Sequence, residues 1–158
     1  MLQVGDRAPD FSATTDAGTR VSLHDFRGKK VVLFFYPKDD TPGCTREACG
    51  FRDAYQAVLD RGAVVLGVST DGVQSHARFK AKYGLPFPLI ADESQAIVSA
   101  YGVWKEKTRG GRTYMGTERT TFVLDEQGVI THIFPKVQVD GHVQEVLDVL
   151  DAAGQARR

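Results

Sequence analysis

Val31-Val32-Leu33-Phe34-Phe35-Tyr36-Pro37-Lys38-Asp39-Asp40-Thr41-Pro42-Gly43-Cys44-Thr45-Arg46-Glu47-Ala48-Cys49 is the stretch on which the fold turns. Its first six residues are the most apolar run in the chain. They are β-branched and aromatic, the composition of a buried strand. Pro37, Pro42 and Gly43 then interrupt the run. From Cys44 onward apolar residues recur at spacings of three and four (Cys44, Ala48, Phe51, Tyr55, Val58), the period of a helix that Arg61-Gly62 stops. The chain's only cysteines, Cys44 and Cys49, follow this strand directly. In α/β proteins the strand-to-helix turn at the end of a core strand commonly carries the chemistry. The spacing is not CxxC, which argues against a thioredoxin-type dithiol and against half a zinc site.

Outward from this unit, Ala63-Val64-Val65-Leu66-Gly67-Val68-Ser69 is a second buried strand. Ser75 to Tyr83 has a helical pattern with Gly84 past its end. Phe87-Pro88-Leu89-Ile90 is a short strand, and Asp92 or Ser94 caps a helix running to Tyr101. Thr120–Leu124 and Val129–Phe134 flank the hairpin turn Asp125-Glu126-Gln127-Gly128. Val143 to Leu150 is a closing helix. Before the central unit, Val4 to Phe11 is extended, Asp16-Ala17-Gly18-Thr19 turns a small hairpin, and Ser22–Phe26 suits a single helical turn. The basic stretch Lys105–Arg112 reads most simply as a solvated loop, and its charge would suit docking of a reductase partner. Strands alternating with helices, then a hairpin and a helix, give a mixed α/β sheet covered on both faces. The order suits a thioredoxin-like fold with an N-terminal β-hairpin extension, although periodicity alone leaves a flavodoxin-like sheet open. No repeat, linker or low-complexity block divides the chain, so a single domain over residues 1–158 is expected.

Composition narrows the function. A chain of 158 residues is long enough for a core without staples. Twenty basic residues balance twenty acidic ones, so bulk charge argues for neither nucleic acid nor an anionic membrane as partner. No apolar run reaches the roughly 18 residues of a membrane span. Met1–Asp6 lacks the pattern of a signal peptide, so a cytoplasmic location is expected. In that compartment a disulfide is more often transient and catalytic than structural. His24, His76, His132 and His142 lie far apart and show no metal-ligand spacing.

A helix beginning near Gly43 or Cys44 places the Cys44 sulfur beside unpaired backbone N–H groups and the positive end of the helix dipole. Pro42 fits the first helical turn. Such sites bring a cysteine pKa from about 8.5 into a range of roughly 3.5–7.5. That alone does not make a fast enzyme. A drop to about 6 raises the thiolate fraction roughly 30-fold at neutral pH. The accompanying fall in nucleophilicity costs about 10-fold. Charge moving onto a leaving group must also be stabilised, and one well-aimed donor contributes about 2.7–4 kcal/mol. The Gly43 and Cys44 amides and the Thr41 hydroxyl are the local donors, and an arginine would complete the set.

Pro37-x-x-x-Thr41-x-x-Cys44 matches the PxxxTxxC motif of peroxiredoxins, and Cys49, five positions on, matches the resolving position of their Q-type, or bacterioferritin comigratory, branch. The resemblance extends over essentially the whole chain, through Val4–Phe11, Val68-Ser69-Thr70-Asp71, Tyr101-Gly102-Val103-Trp104, Glu118–Asp125 and Gly141-His142. It implies an antioxidant thiol peroxidase acting on hydrogen peroxide and organic hydroperoxides without metal or organic cofactor. Cys44 would be the peroxidatic nucleophile and Cys49 the resolving thiol. Thr41 would orient the peroxide and donate to it, and Pro42 or Pro37 would shield the sulfur. Arg119 would hold the thiolate and polarise the peroxide, with Glu47 orienting an arginine in the same network. Thioredoxin, or a glutaredoxin-like dithiol, would be the reductant. With both thiols in one chain a monomer suffices. Taken alone, Cys44 suits a small core residue, Arg119 a surface arginine, Glu47 a first-turn carboxylate and Pro37 a strand terminator. A dithiol–disulfide reductase would want CxxC, and a redox sensor would not need Thr41 and Arg119.

Five residues along an ideal α-helix rise about 7.5 Å and turn about 140°, which separates the Cα atoms of Cys44 and Cys49 by roughly 8–9 Å. A disulfide needs roughly 4.4–6.8 Å. The helix start must therefore unwind before the two sulfurs can join.

Overall fold

The computed structural model describes residues 1–155. Its centre is β3 (Lys30–Phe35), in which every residue is buried. Alternate side chains of β3 point into two separate cores. Val32 and Phe34, with Tyr36 beyond the strand end, pack against Ala48, Phe51, Val58, Phe79, Val146 and Leu150. Val31, Leu33 and Phe35 pack on the other face against Leu23, Ile97, Tyr101, Phe122 and Ile130. This period-two division explains why the segment is apolar without interruption.

The helices on the first face are α1 (Pro42–Asp53), α2 (Tyr55–Asp60), α3 (Val73–Tyr83) and α5 (His142–Gln155). The second face carries α4 (Ala96–Ala100), a 3-10 turn at Leu23–Phe26 and the N-terminal segment. Seven strands form one sheet. With β1 (Ser12–Thr15), β2 (Arg20–Ser22), β4 (Ala63–Ser69), β5 (Leu89–Ala91), β8 (Thr120–Leu124) and β9 (Ile130–Phe134), the order is β2-β1-β5-β4-β3-β8-β9. Strands β3, β4 and β5 run parallel, and the remaining pairings are antiparallel. The sheet is therefore mixed, as expected. The N-terminal hairpin does more than extend the chain, because Thr14 and Thr15 of β1 pair with Ala91 and Ile90 and complete the sheet on that side.

Several boundaries differ from the sequence expectation, each for a local reason. The helical pattern from Cys44 to Val58 is two helices, because Ala54 leaves helical geometry (φ −96°, ψ 4°). Apolar spacing continues across the break, so the pattern conceals it. Helix α3 starts at Val73, earlier than Ser75, and ends as expected at left-handed Gly84. The short strand falls at Leu89–Ala91, not Phe87–Ile90. Neither Asp92 nor Ser94 holds the N-cap position of α4, which falls to left-handed Gln95, but the Asp92 carboxylate accepts from the Ile97 and Val98 amides at 3.1 and 2.8 Å and so serves the first turn. The largest correction concerns Lys105–Arg112. It is no loop but most of a two-stranded ribbon, β6 (Trp104–Arg109) and β7 (Arg112–Thr117), turned by Gly110-Gly111 with both residues at positive φ. That turn requires two left-handed residues, and a glycine pair supplies them. The ribbon has no apolar alternation because much of it is exposed.

Gly67 lies in β4 where a Cβ would come within 2.9 Å of both Leu89 Cδ2 and Phe34 Cζ. Both neighbours are fully buried core side chains. Gly67→Ala is expected to overpack this layer and lower stability by about 1–3 kcal/mol. Urea denaturation measures it, and an unchanged midpoint would show that Phe34 and Leu89 can move aside.

Candidate active site

The site lies where β3 ends and α1 begins. Pro37 follows the buried Tyr36, and Thr41 takes the position before the helix with extended backbone (φ −93°, ψ 154°). Pro42, Gly43 and Cys44 are the first helical residues, and the first of them has no N–H to leave unpaired. The Thr45 amide is the first to close a helical bond, onto the Thr41 carbonyl at 2.8 Å. The Gly43 and Cys44 amides lie in the turn whose donors have no intrahelical acceptor.

The arginine reaches this turn through the sheet. Phe35 of β3 pairs with Thr120 of β8, so Arg119 stands level with the end of β3 beside the helix start. Its Nη2 donates to Cys44 Sγ at 3.3 Å, and its Nη1 donates to Glu47 Oε1 at 2.8 Å. Gly43 packs against the same group, since a Cβ there would come within 3.2 Å of Nη2. The Arg119 carbonyl accepts from the Val137 amide at 2.9 Å, which ties the backbone at this point to the segment after β9. Cys44 itself is 1% exposed. Thr41 and Gly43 are half-buried, and the Arg119 side chain is 17% exposed.

The electrostatics of the trio follow from burial. Burial opposes the Arg119 charge, but Glu47 and then Cys44 outweigh it and hold the guanidinium more firmly protonated than usual. Glu47 is the reverse case. Desolvation pushes its carboxyl from 4.5 up to about 7, with Arg119 offsetting only part of the cost. Oε1 faces Arg119, while Oε2 has no hydrogen-bond partner among the described residues. Oε2 is thus the atom to carry the proton when Glu47 is neutral, and in that state the guanidinium charge faces the sulfur uncompensated.

The residues singled out from the sequence fall into two groups. Cys44, Arg119, Glu47 and Gly43 come together in one contact set. Thr41 adjoins it with its hydroxyl turned away, donating to the Lys38 carbonyl at 2.8 Å. In this structure the Lys38 carbonyl thus takes the proton that the sequence reading assigns to a peroxide. The proton is already committed, and the oxygen presents its lone pairs. Pro42 is exposed and Pro37 half-buried. Cys49 is half-buried on the same unbroken α1, and both cysteines are free thiols. The sequence reading missed a second polar cluster directly behind the loop, made by Tyr36, Asp39, Asp71 and His76. It also missed the position of His142, buried between Phe51 and Phe134 with its Nε2 2.8 Å from Thr121 Oγ1. Local spacing does not reveal either contact, since His142 and Thr121 are 21 residues apart and His76 and Asp39 are 37 apart.

A family model described as AhpC/TSA family matches residues 4–133. The putative peroxiredoxin bcp of Coxiella burnetii is 55% identical over 146 residues, covering 92% of this chain and 97% of that protein. The chain belongs to the AhpC/TSA family, among its Bcp/PrxQ peroxiredoxins. The peroxiredoxin Bcp of Bacillus subtilis is 45% identical over 149 residues, 94% of this chain and 95% of that one. Among solved structures, a mutant of Xylella fastidiosa PrxQ superposes with a TM-score of 0.93 at 35% identity, covering 98% of each chain. The bacterioferritin comigratory protein of Xanthomonas campestris, studied for alkyl peroxide reduction, gives 0.87 at 40% identity over 90% of this chain and 91% of that one. The peroxiredoxin fold thus agrees with the thioredoxin-like arrangement expected from the order of elements.

The Glu47 carboxyl makes stability depend on pH. Its folded value, about 7, lies above the ordinary 4.5, so the folded protein holds this proton more tightly than the unfolded chain. Stability is therefore expected to fall as pH rises through that window, by on the order of 3 kcal/mol, and to level off above it. Glu47→Gln should remove this component. Urea titrations of both proteins at about pH 5 and about pH 8 test it; a wild-type-to-variant difference that is the same at both would refute it.

Proposed function

We infer that this peroxiredoxin reduces hydroperoxides through Cys44, and the observation that carries the assignment is the Arg119 guanidinium 3.3 Å from its sulfur. The Cys44 thiolate attacks the terminal oxygen of ROOH. The O–O bond breaks as the S–O bond forms, and the leaving alkoxide or hydroxide takes a proton and departs as ROH or water. Negative charge moves from sulfur to the departing oxygen. Arg119, reaching the sulfur with one nitrogen and fixed by Glu47 at another, is placed to follow that charge. The Gly43 and Cys44 amides point into the same turn. The Thr41 oxygen, its own O–H donating to the Lys38 carbonyl, accepts the peroxide O–H and so sets the peroxide's orientation. Burial of Cys44 keeps bulk water from the sulfur, and Pro37 and Pro42 bound the loop that encloses it.

Cys49 then resolves the sulfenic acid. Its thiol sulfur displaces the sulfenic hydroxyl, which leaves as water, and a Cys44–Cys49 disulfide forms. Both cysteines belong to α1, so the first turns of that helix unwind in this step. A dithiol protein, thioredoxin or a glutaredoxin-like partner, reduces the disulfide and the helix rewinds. Hydrogen peroxide and organic hydroperoxides are the substrates. The protein acts as a monomer in the cytoplasm in antioxidant defence; no described helix is long and apolar enough to cross a membrane.

Cys44→Ser is expected to abolish peroxide consumption in a thioredoxin-coupled assay, while Cys49→Ser reacts once and recycles poorly. Undiminished turnover by Cys44→Ser would sink the assignment. Arg119→Met should lower the second-order rate with hydrogen peroxide by about 10²–10³-fold, as read by stopped-flow competition. With the resolving thiol in the same segment, mass spectrometry after excess peroxide should show loss of two hydrogens well before gain of two oxygens. The reverse order would mean that unwinding is too slow to protect Cys44.

A further inference from the structure

The loop between β3 and α1 is gripped from behind by a single helix. Asp39 and Asp40 stand five and four residues before Cys44, and both bind α3. The Asp39 carboxylate is buried and accepts from Tyr36 Oη at 2.6 Å and Ser75 Oγ at 2.8 Å. It also lies 2.7 Å from His76 Nδ1. The other ring nitrogen, Nε2, lies 2.9 Å from the Ile90 carbonyl. A carbonyl can only accept, so Nε2 carries a proton. Nδ1 faces a carboxylate whose neighbours already supply donors, and a second ring proton there turns the contact into an ion pair. Burial works against the charged ring, but Asp39 and Ile90 more than offset it and raise the His76 pKa. The Asp39 amide, in turn, donates to Asp71 Oδ2 at 2.7 Å.

The second grip is at the surface. Asp40 holds a left-handed conformation (φ 56°) that disfavours a non-glycine residue. Its carboxylate accepts from Lys82 Nζ at 2.7 Å and Tyr83 Oη at 2.8 Å, at the far end of α3. Asp39, Asp71 and His76 have the composition of a metal site, with ligand atoms within 4.8 Å of one another. Their atoms are nevertheless committed. Asp71 Oδ2 accepts from the Asp39 amide and from Ser69 Oγ, and both His76 nitrogens have protein partners. The cluster is a fastening between α3 and the loop.

We propose that His76 and Asp39, seconded by Lys82 and Tyr83 on Asp40, are positioning residues for the peroxidatic thiol. The buried imidazolium–carboxylate pair fixes the root of the loop, so that Thr41 and Cys44 meet Arg119 in reactive geometry. It also supplies the stationary end from which α1 unwinds. The inference rests on the peroxidase assignment. None of the four residues touches the reacting atoms; they act by holding the backbone that carries Thr41 and Cys44. A displacement of about 1 Å at a reacting group can cost on the order of 100-fold in rate.

The test separates the two chemical steps. Stopped-flow rates of Cys44 oxidation by hydrogen peroxide, and of disulfide closure from the sulfenic acid, are measured for wild type, Asp39→Asn, His76→Gln and Tyr83→Phe, which removes a single hydroxyl from a half-buried ring. The two buried substitutions are expected to slow the first step by about 10–100-fold and Tyr83→Phe by a few-fold. Closure is not slowed, because a loosened loop does not oppose unwinding. Nitrogen-15 NMR of wild type should show both His76 ring nitrogens protonated at neutral pH. A purely structural role would lower the melting temperature and leave the first-step rate of folded protein intact. That result, or a neutral His76 ring, overturns the inference. If the buried variants fail to fold, Tyr83→Phe with an unchanged first step overturns it equally. Should wild-type Cys44 itself fail to react with peroxide, the peroxidase assignment falls and this inference with it; a reactive wild type with unaffected variants removes this inference alone.

Discussion

One guanidinium organises the site. Arg119 stands at the lip of the sheet because Thr120 pairs with Phe35, and from there it reaches both the sulfur of Cys44 and the carboxylate of Glu47. Each partner depends on the others. Without Arg119 the buried carboxylate of Glu47 would have no counter-charge in a position that solvent does not reach. Without Glu47 the guanidinium would lose the contact that fixes its orientation toward the sulfur. Gly43 leaves the side chain its space, as a Cβ there would press on Nη2. Burying three ionisable groups together is costly, and the arrangement persists because each charge has a partner within hydrogen-bonding distance.

The same helix that builds this arrangement keeps the two thiols apart. Cys44 and Cys49 lie on α1 at a separation that no disulfide spans while the helix is wound. The wound turn that sets Cys44 beside Arg119 and a bond between the two cysteines are therefore mutually exclusive states of one segment. The Arg119 contacts to Cys44 and Glu47, and the packing of Ala48 in the core, favour the wound state.

Much of this was legible in the sequence, and the reasons differ by element. The β3 run and the helical period after it are strong local signals, and they place Cys44 at a strand-to-helix turn. Arg119 and Glu47 could be named because the family resemblance extends to them, but their contact depends on a strand register that no local pattern contains. The β6–β7 ribbon was missed because exposed strands need no apolar alternation, and the break at Ala54 was missed because apolar spacing runs through it. Thr41 was placed correctly, yet its hydroxyl direction is set by the Lys38 carbonyl, a detail of loop geometry. The buried His76–Asp39 pair joins residues 37 apart and has no sequence signature at all.

The interruption at Ala54 has a consequence for how far a disturbance can spread. Helix α2 has its own first hydrogen bond, from the Val58 amide to the Ala54 carbonyl, and its own anchor in the fully buried Val58. Loss of turns from the front of α1 therefore breaks no hydrogen bond of α2. Ala54 serves as a firebreak. Were the front of α1 to unwind as proposed, the hydrogen bonds of α2 and its seat on β4 would be left in place.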